Sequence, residues 1–282
     1  MEVAITQPCN KDISADKIRL HFLEWGRKDF QCMILLHGSG DNAHMWDHFA
    51  SRISKNFRII AVDQRGHGSS NWIRPPAYSC NDYLNDLDHL VKTLKPGKVI
   101  LMGHSMGALH AASYAAVKPE KVAALIYVDI EPCPPSWNKK YLREQYYTLP
   151  DSYESFQGFL NNMKESSPYA KEEMLNYLAL FALEKKGDGK FYAKFDKEVL
   201  NNFDRYDLRP SLKAIKCPTL IIRGAESQVM RREIAQEMNR TVTNSRFVEI
   251  AQATHQVHSD NPTAFGEAVL DFLNDWNLVA GK

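Results

Sequence analysis

Residues 98–117 read KVILMGHSMGALHAASYAAV, and the character of the chain changes twice within them. Lys98 to Met102 is a short apolar run of the kind that forms a buried strand. Ala108 to Val117 is dominated by alanine and other small residues suited to a closely packed helix. Between them stands Gly103-His104-Ser105-Met106-Gly107. A serine placed where a strand turns sharply into a helix crowds both elements, so the flanking positions must lack side chains. In this context G-x-S-x-G predicts a nucleophile elbow, with the Ser105 hydroxyl projecting from a sheet edge.

Working outward, Met33 to Leu36, Phe57 to Val62, Val122 to Val128, Thr219 to Ile222 and Arg246 to Ile250 are further short β-rich runs, and several end at Gly or Asp. They predict buried parallel strands. Tyr83, Leu84, Leu87, Leu90, Val91 and Leu94 form one helical stripe that ends at Pro96-Gly97. A last helix is expected to start at Asn261-Pro262, a cap followed by a first-turn proline, and to run through Phe265, Val269, Phe272, Leu273 and Trp276. Strands alternating with helices specify the α/β class: a doubly wound, mostly parallel sheet whose chemistry lies at the carboxyl ends of the strands.

Residues 131–210 interrupt the alternation. They hold 15 of the chain's 30 aromatic residues, with Pro132, Pro134 and Pro135 at the entrance and Arg209-Pro210 near the exit. Helical segments are expected around Lys139 to Tyr147, Ser155 to Met163 and Lys171 to Leu183, followed by a turn at Lys186 to Gly189. The expected organisation is a core formed by 1–130 and 211–282, with 131–210 inserted as a helical cap. Of its aromatics, Trp137, Tyr146 and Phe181 are the candidates for contact with a substrate.

Composition removes other function classes. In 282 residues, 35 Lys and Arg face 34 Asp and Glu, without a basic block, so neither nucleic acid nor an anionic membrane is an expected partner. The longest apolar run, Val122 to Val128, is far too short to span a bilayer, and the N-terminus has no secretory apolar core, which points to the cytoplasm. Cys9, Cys32, Cys80, Cys133 and Cys217 are odd in number and lack any CxxC spacing, so they read as reduced thiols, with no metal site expected.

A serine hydroxyl needs a base. His255 lies just after the run ending at Ile250 and before the last helix, on the same sheet edge as Ser105, and His258 is its competitor. The base needs an orienting carboxylate, for which Asp129, ending the strand Val122 to Val128, and Glu226, on a loop after Ile222, are the candidates. A rigid strand end holds geometry better than a loop and favours Asp129. Leu35-Leu36-His37-Gly38-Ser39-Gly40 offers a backbone turn whose Ser39 amide, with that of Met106, could bind an oxyanion. Asp63 to Ser69 lacks phosphate-loop spacing and reads as a structural loop near the site.

Taken together, LLHGSG, VDQRGHGSS, LMGHSMG, LIYVDIEP, LIIRGAES and ATHQVHSDNP resemble, in order and spacing, the α/β-hydrolase superfamily. The resemblance implies Ser105 as nucleophile, His255 as base, and the Ser39 and Met106 amides as oxyanion hole. In many members the acid is an Asp three residues after the glycine of the later strand; here that position is Ser227, a departure. Other members take the acid 24 residues beyond the nucleophile, which is Asp129. Members that act on epoxides or haloalkanes place an Asp where Ser105 stands. The resemblance therefore implies a cofactor-independent serine hydrolase of small-molecule carboxylic esters, with carbon-carbon bond or lactone hydrolysis, or silent ligand binding, as alternatives.

Overall fold

The computed structural model describes residues 7–15, 18–135 and 150–279. Eight strands form one sheet: β1 (Cys9–Ala15), β2 (Ile18–Trp25), β3 (Cys32–Leu36), β4 (Arg58–Val62), β5 (Val99–His104), β6 (Val122–Val128), β9 (Thr219–Gly224) and β10 (Ser245–Ile250). Their order is β1-β2-β4-β3-β5-β6-β9-β10. The pairs β1/β2 and β2/β4 are antiparallel, and all pairs from β4 through β10 are parallel. The expected strands are present with ends shifted by one or two residues. The antiparallel β1 and β2 were not anticipated, because β1 is a polar edge strand with only Ile13 in the core.

The parallel strands are apolar on both faces because helices cover both. Ile34, Leu36, Ile60, Leu101, Leu125, Tyr127 and Ile221 meet α2 (Cys80–Leu94) and α3 (Met106–Val117). Met33, Leu35, Ile59, Ile100, Met102, Ile126 and Ile222 meet α1 (Asp47–Ile53) and α8 (Pro262–Asp275) on the other side. The remaining core helices are α6 (Arg232–Thr241) and the single turn α7 (Val257–Asp260). The helix signals operate as expected: Ser79 caps α2 in a reciprocal box with Asp82, and the Asn261 side chain accepts from the Ala264 N–H ahead of Pro262. None of the described helices is long and apolar enough to cross a membrane.

Between β6 and β9 the chain leaves the sheet and forms α4 (Phe156–Ser166), α5 (Glu172–Ala182) and the hairpin of β7 (Leu183–Lys185) with β8 (Phe191–Ala193). The expected turn closes that hairpin, with the Gly189 N–H donating to the Lys186 carbonyl. The segment expected to be helical at Lys139 to Tyr147 lies outside the described residues. Leu160, Leu175 and Ala179 form a small core between α4 and α5. The loop after β4 holds this layer down: the Gly68 N–H donates to the Lys194 carbonyl and the Asp196 N–H to the Gly66 carbonyl, each at 2.8 Å. Asp63 secures the same loop, its carboxylate accepting from the Ser69 and Ala43 amides. The structural reading of residues 63–69 therefore agrees with its hydrogen bonds.

Candidate active site

Ser105 follows β5 with φ 52° and ψ −123°, a left-handed backbone that costs a non-glycine residue about 1–3 kcal/mol. Its N–H donates to the Val128 carbonyl at 2.9 Å, so the neighbouring strand holds it in place. The two glycines of the motif are explained by close approach. A Cβ on Gly103 would stand 2.2 Å from the Gly107 carbonyl oxygen, and one on Gly107 would stand 2.4 Å from that of Leu36. The turn after β3 thus lies directly against the first turn of α3. The Ser39 hydroxyl donates to the Met106 sulfur at 3.3 Å across that contact, which brings together the two residues whose amides were paired from the sequence.

Asp129 repeats the device one strand over. Its φ is 53°, its N–H donates to the Ile222 carbonyl at 2.9 Å, and it is fully buried. Its Oδ2 lies 2.7 Å from His255 Nδ1 and accepts from the Ser227 hydroxyl at 2.6 Å, while Oδ1 accepts from the Gly224 N–H at 2.9 Å. A carboxylate buried this deeply requires such partners. Gly224 is the only residue type that fits there: a Cβ would stand 2.0 Å from the Thr254 carbonyl oxygen, because the loop carrying His255 crosses directly over the end of β9.

The two competitors, His258 and Glu226, and the neighbouring His104 have partners of their own. His258 is buried against Trp46 and His104, and burial pushes its pKa down to about 3, so its ring stays neutral. Glu226 is exposed, and both its oxygens accept from the Tyr169 hydroxyl of the inserted layer, at 2.6 and 2.7 Å. His104 is driven by burial well below the usual histidine range, and its Nε2 donates to the His255 carbonyl at 2.8 Å. Its ring also lies 4.5 Å from that of His255, so it fixes the His255 loop from beneath.

The α/β-hydrolase fold family matches residues 31–262, which is most of the chain and includes every residue described above. The chain belongs to that family. It is 29% identical over 259 residues to an esterase of Mycobacterium tuberculosis, covering 89% of this chain and 85% of the relative. It is 25% identical to 2-(acetamidomethylene)succinate hydrolase of Mesorhizobium japonicum, covering 97% and 98%. A pimeloyl-[acyl-carrier protein] methyl ester esterase of Pectobacterium carotovorum is 27% identical, with 85% and 93% covered. The crystal structure of E-2-(acetamidomethylene)succinate hydrolase superposes with a TM-score of 0.88 at 25% identity, covering 95% of this α/β-hydrolase and all of that chain.

Between the sheet edge and the inserted layer of this α/β-hydrolase lies a cavity of about 1480 Å³. It reaches His255, Asp41 and Val229 of the core and Tyr153, Phe159 and Phe195 of the insertion. Of the aromatics selected from the sequence, Phe181 is a correction. It stacks on His44 of the core at 3.6 Å and meets Tyr177 edge-on, so it fastens the insertion and does not line the cavity. It sits on α5 against the short 3-10 turn Ala43–Trp46 that precedes α1, where helical position and not residue type decided its direction. Trp137 and Tyr146 lie outside the described residues. Sequence reasoning also missed the part of Ser227, although its replacement of the customary Asp was the available signal. It gave no signal for Asp41 or for the His104 contact. Among the described residues no group of three or more His, Cys, Asp or Glu is arranged to hold a metal ion.

Proposed function

We propose that this α/β-hydrolase cleaves carboxylic esters of small to medium apolar acyl or aryl groups through an acyl-enzyme. The observation that carries the reading is the 2.7 Å contact of the buried Asp129 carboxylate with His255 Nδ1, on the sheet edge where Ser105 is held in a strained turn. A carboxylate can only accept, so Nδ1 carries the ring proton and Nε2 presents its lone pair. Ser105 Oγ then attacks the ester carbonyl while His255 Nε2 takes its proton. The Ser39 and Met106 amides face the oxyanion, the latter at the N-terminus of the 12-residue α3, where the backbone is partially positive. His255 returns the proton to the departing alcohol, and a water activated by the same nitrogen releases the acid.

The activities named for the Mycobacterium and Pectobacterium relatives support an ester bond. The likeness to 2-(acetamidomethylene)succinate hydrolase over nearly its whole length supports a second reading, in which the same three residues break a non-ester bond. The test is labelling with a fluorophosphonate, followed by a hydrolysis panel of aryl esters of rising acyl length, lactones and a vinylogous diketone. Stoichiometric labelling that Ser105→Ala removes, with turnover of the aryl esters, is expected. Labelling with turnover confined to the diketone would select the second reading.

A further inference from the structure

Asp41 lies on the turn between β3 and α1, two residues beyond Ser39, and nothing in the preceding chemistry uses it. The turn aims it: the Asp41 N–H donates to the Gly38 carbonyl at 3.3 Å, and Gly40 adopts φ 81°. Its Oδ2 and the Cβ of Ser105 both lie within 3.3 Å of the point that a Cβ on Gly38 would occupy, so its carboxyl oxygen stands at most about 6.5 Å from the Ser105 Cβ. It also lines the cavity together with His255.

A structural role for this carboxyl is missing. The capping position next to it is filled by Asn42, whose side chain accepts from the His44 N–H. Neighbouring acids have partners: Asp47 Oδ2 meets His44 Nδ1 and accepts from the Tyr177 hydroxyl, and Asp63 meets His21 and two amides. Among the described residues the Asp41 side chain has no hydrogen bond and no ion pair. Burial raises its pKa to about 7, against which the charge of His255 pulls in the other direction. An acid kept partly desolvated and unpartnered beside a reaction centre is costly to the fold and is therefore available to a ligand.

We propose that Asp41 is a specificity residue: its carboxyl accepts a hydrogen bond from a hydroxyl or N–H group on the carbon α or β to the acyl carbonyl. This rests on the ester-hydrolase reading and adds to it a preference, among acyl groups of that size, for those that carry a hydroxyl or amino group near the carbonyl. The acceptor role follows from the chemistry of the group. A carboxyl oxygen accepts in both protonation states, whereas only the neutral acid donates, so a donor on the substrate is the partner that suits both. Distance limits the position, since a group beside the Ser105 Cβ can reach only atoms near the scissile carbonyl. An acyl carboxylate at the same place would meet like charge once Asp41 ionises.

The experiment compares 4-nitrophenyl 3-hydroxybutyrate with 4-nitrophenyl butyrate, using the full chain as wild type, Asp41→Leu and Asp41→Asn, each titrated with a fluorophosphonate to count competent Ser105. The readout is the ratio of the two kcat/KM values. Wild type is expected to favour the hydroxy ester by about tenfold, as for one hydrogen bond to a charged group, and Asp41→Leu to bring the ratio near one. Between pH 6 and 8.5 the wild-type ratio should rise several-fold as the carboxyl ionises and becomes the stronger acceptor, while Asp41→Asn should give a flat ratio. The titratable rings around Asp41 are His255 and His104, with His258 behind them; burial keeps His104 and His258 neutral over this range, and a change at His255 would act on both esters alike and cancel in the ratio. A wild-type ratio near one, a ratio that survives Asp41→Leu, or the same pH dependence in Asp41→Asn overturns the proposal. Failure of the underlying reading has a different signature, a wild-type protein that neither labels nor hydrolyses either ester, and it removes this proposal with it.

Discussion

The carboxyl edge of the sheet and the layer inserted above it are built on different principles. At the sheet edge Ser105 and Asp129 both carry left-handed backbone, at φ 52° and 53°, and each is tied by its own N–H to the next strand. Their geometry is over-determined by parallel strands whose side chains are almost wholly buried. The inserted layer has only a small core of its own; its last part joins the main core through Phe195, Val199, Leu200, Tyr206 and Leu208, and the rest meets the sheet through links such as Tyr177 to Asp47, Phe181 on His44 and Tyr169 to Glu226. Leu180 and Tyr169 remain exposed on it, at 64% and 40%. Strain can be kept only where packing and backbone hydrogen bonds leave no alternative, which the edge supplies for Ser105 and Asp129 and which suits it to the role proposed for them.

The largest expected effect separates the two regions outright. Ser105→Ala should reduce turnover by at least about a thousandfold and leave the melting temperature unchanged or higher, since it removes the nucleophile and adds no bulk. Residual activity above that level would show that the edge is not where the chemistry occurs. Asp129→Asn should lower kcat by about three to four orders of magnitude, because an amide would hold His255 in the other tautomer, whereas Glu226→Gln should change it by less than about fourfold. The reverse ranking would move the carboxylate to the link between the regions.

Acid should break the edge before the cover. His110 and His258 are fully buried and titrate at about 3, and His37, His67 and His104 are also lowered by burial. Because the unfolded chain takes up protons near pH 6.5 and the folded one does not, the stability these groups allow is present above that pH and is lost as pH falls toward 3. Each contributes a slope of about 1.4 kcal/mol per pH unit once the unfolded form is charged. Urea unfolding at pH 7.5, 6 and 5 should show a steep decline below pH 6.5, and a flat profile would contradict the neutral histidines.

Smaller effects refine the boundary. Ser227→Ala removes one hydrogen bond to Asp129 and should cost about tenfold in kcat with little change in KM. A change confined to KM would place Ser227 in substrate binding instead. Phe159→Ala, which trims the cavity from the inserted side, should alter the ratio of kcat/KM for a long against a short aryl ester by several-fold and leave acetate esters nearly unaffected. An unchanged ratio would detach the insertion from substrate choice.

What the sequence determined by itself were the features carried by local chemistry. Alternating apolar runs and helical stripes marked β3 to β6, β9, β10 and the helices α2, α3 and α8, and glycines two positions either side of Ser105 marked the elbow. His255 and Asp129 could be picked out because one stands on the loop after β10 and the other immediately beyond β6, and the structure brings the two within 2.7 Å of each other. What needed the tertiary structure depends on contacts between segments far apart in the chain. Ser227 reaches Asp129 across 98 residues, and Tyr169 occupies Glu226 across 57. Phe181 turns to His44 rather than to the cavity, and Asp41 comes to lie beside Ser105 without any motif to announce it. A strand or an elbow is specified by its own residues and their period. The partner of a buried side chain is decided by how whole layers settle against one another, and no single segment of the chain carries that information.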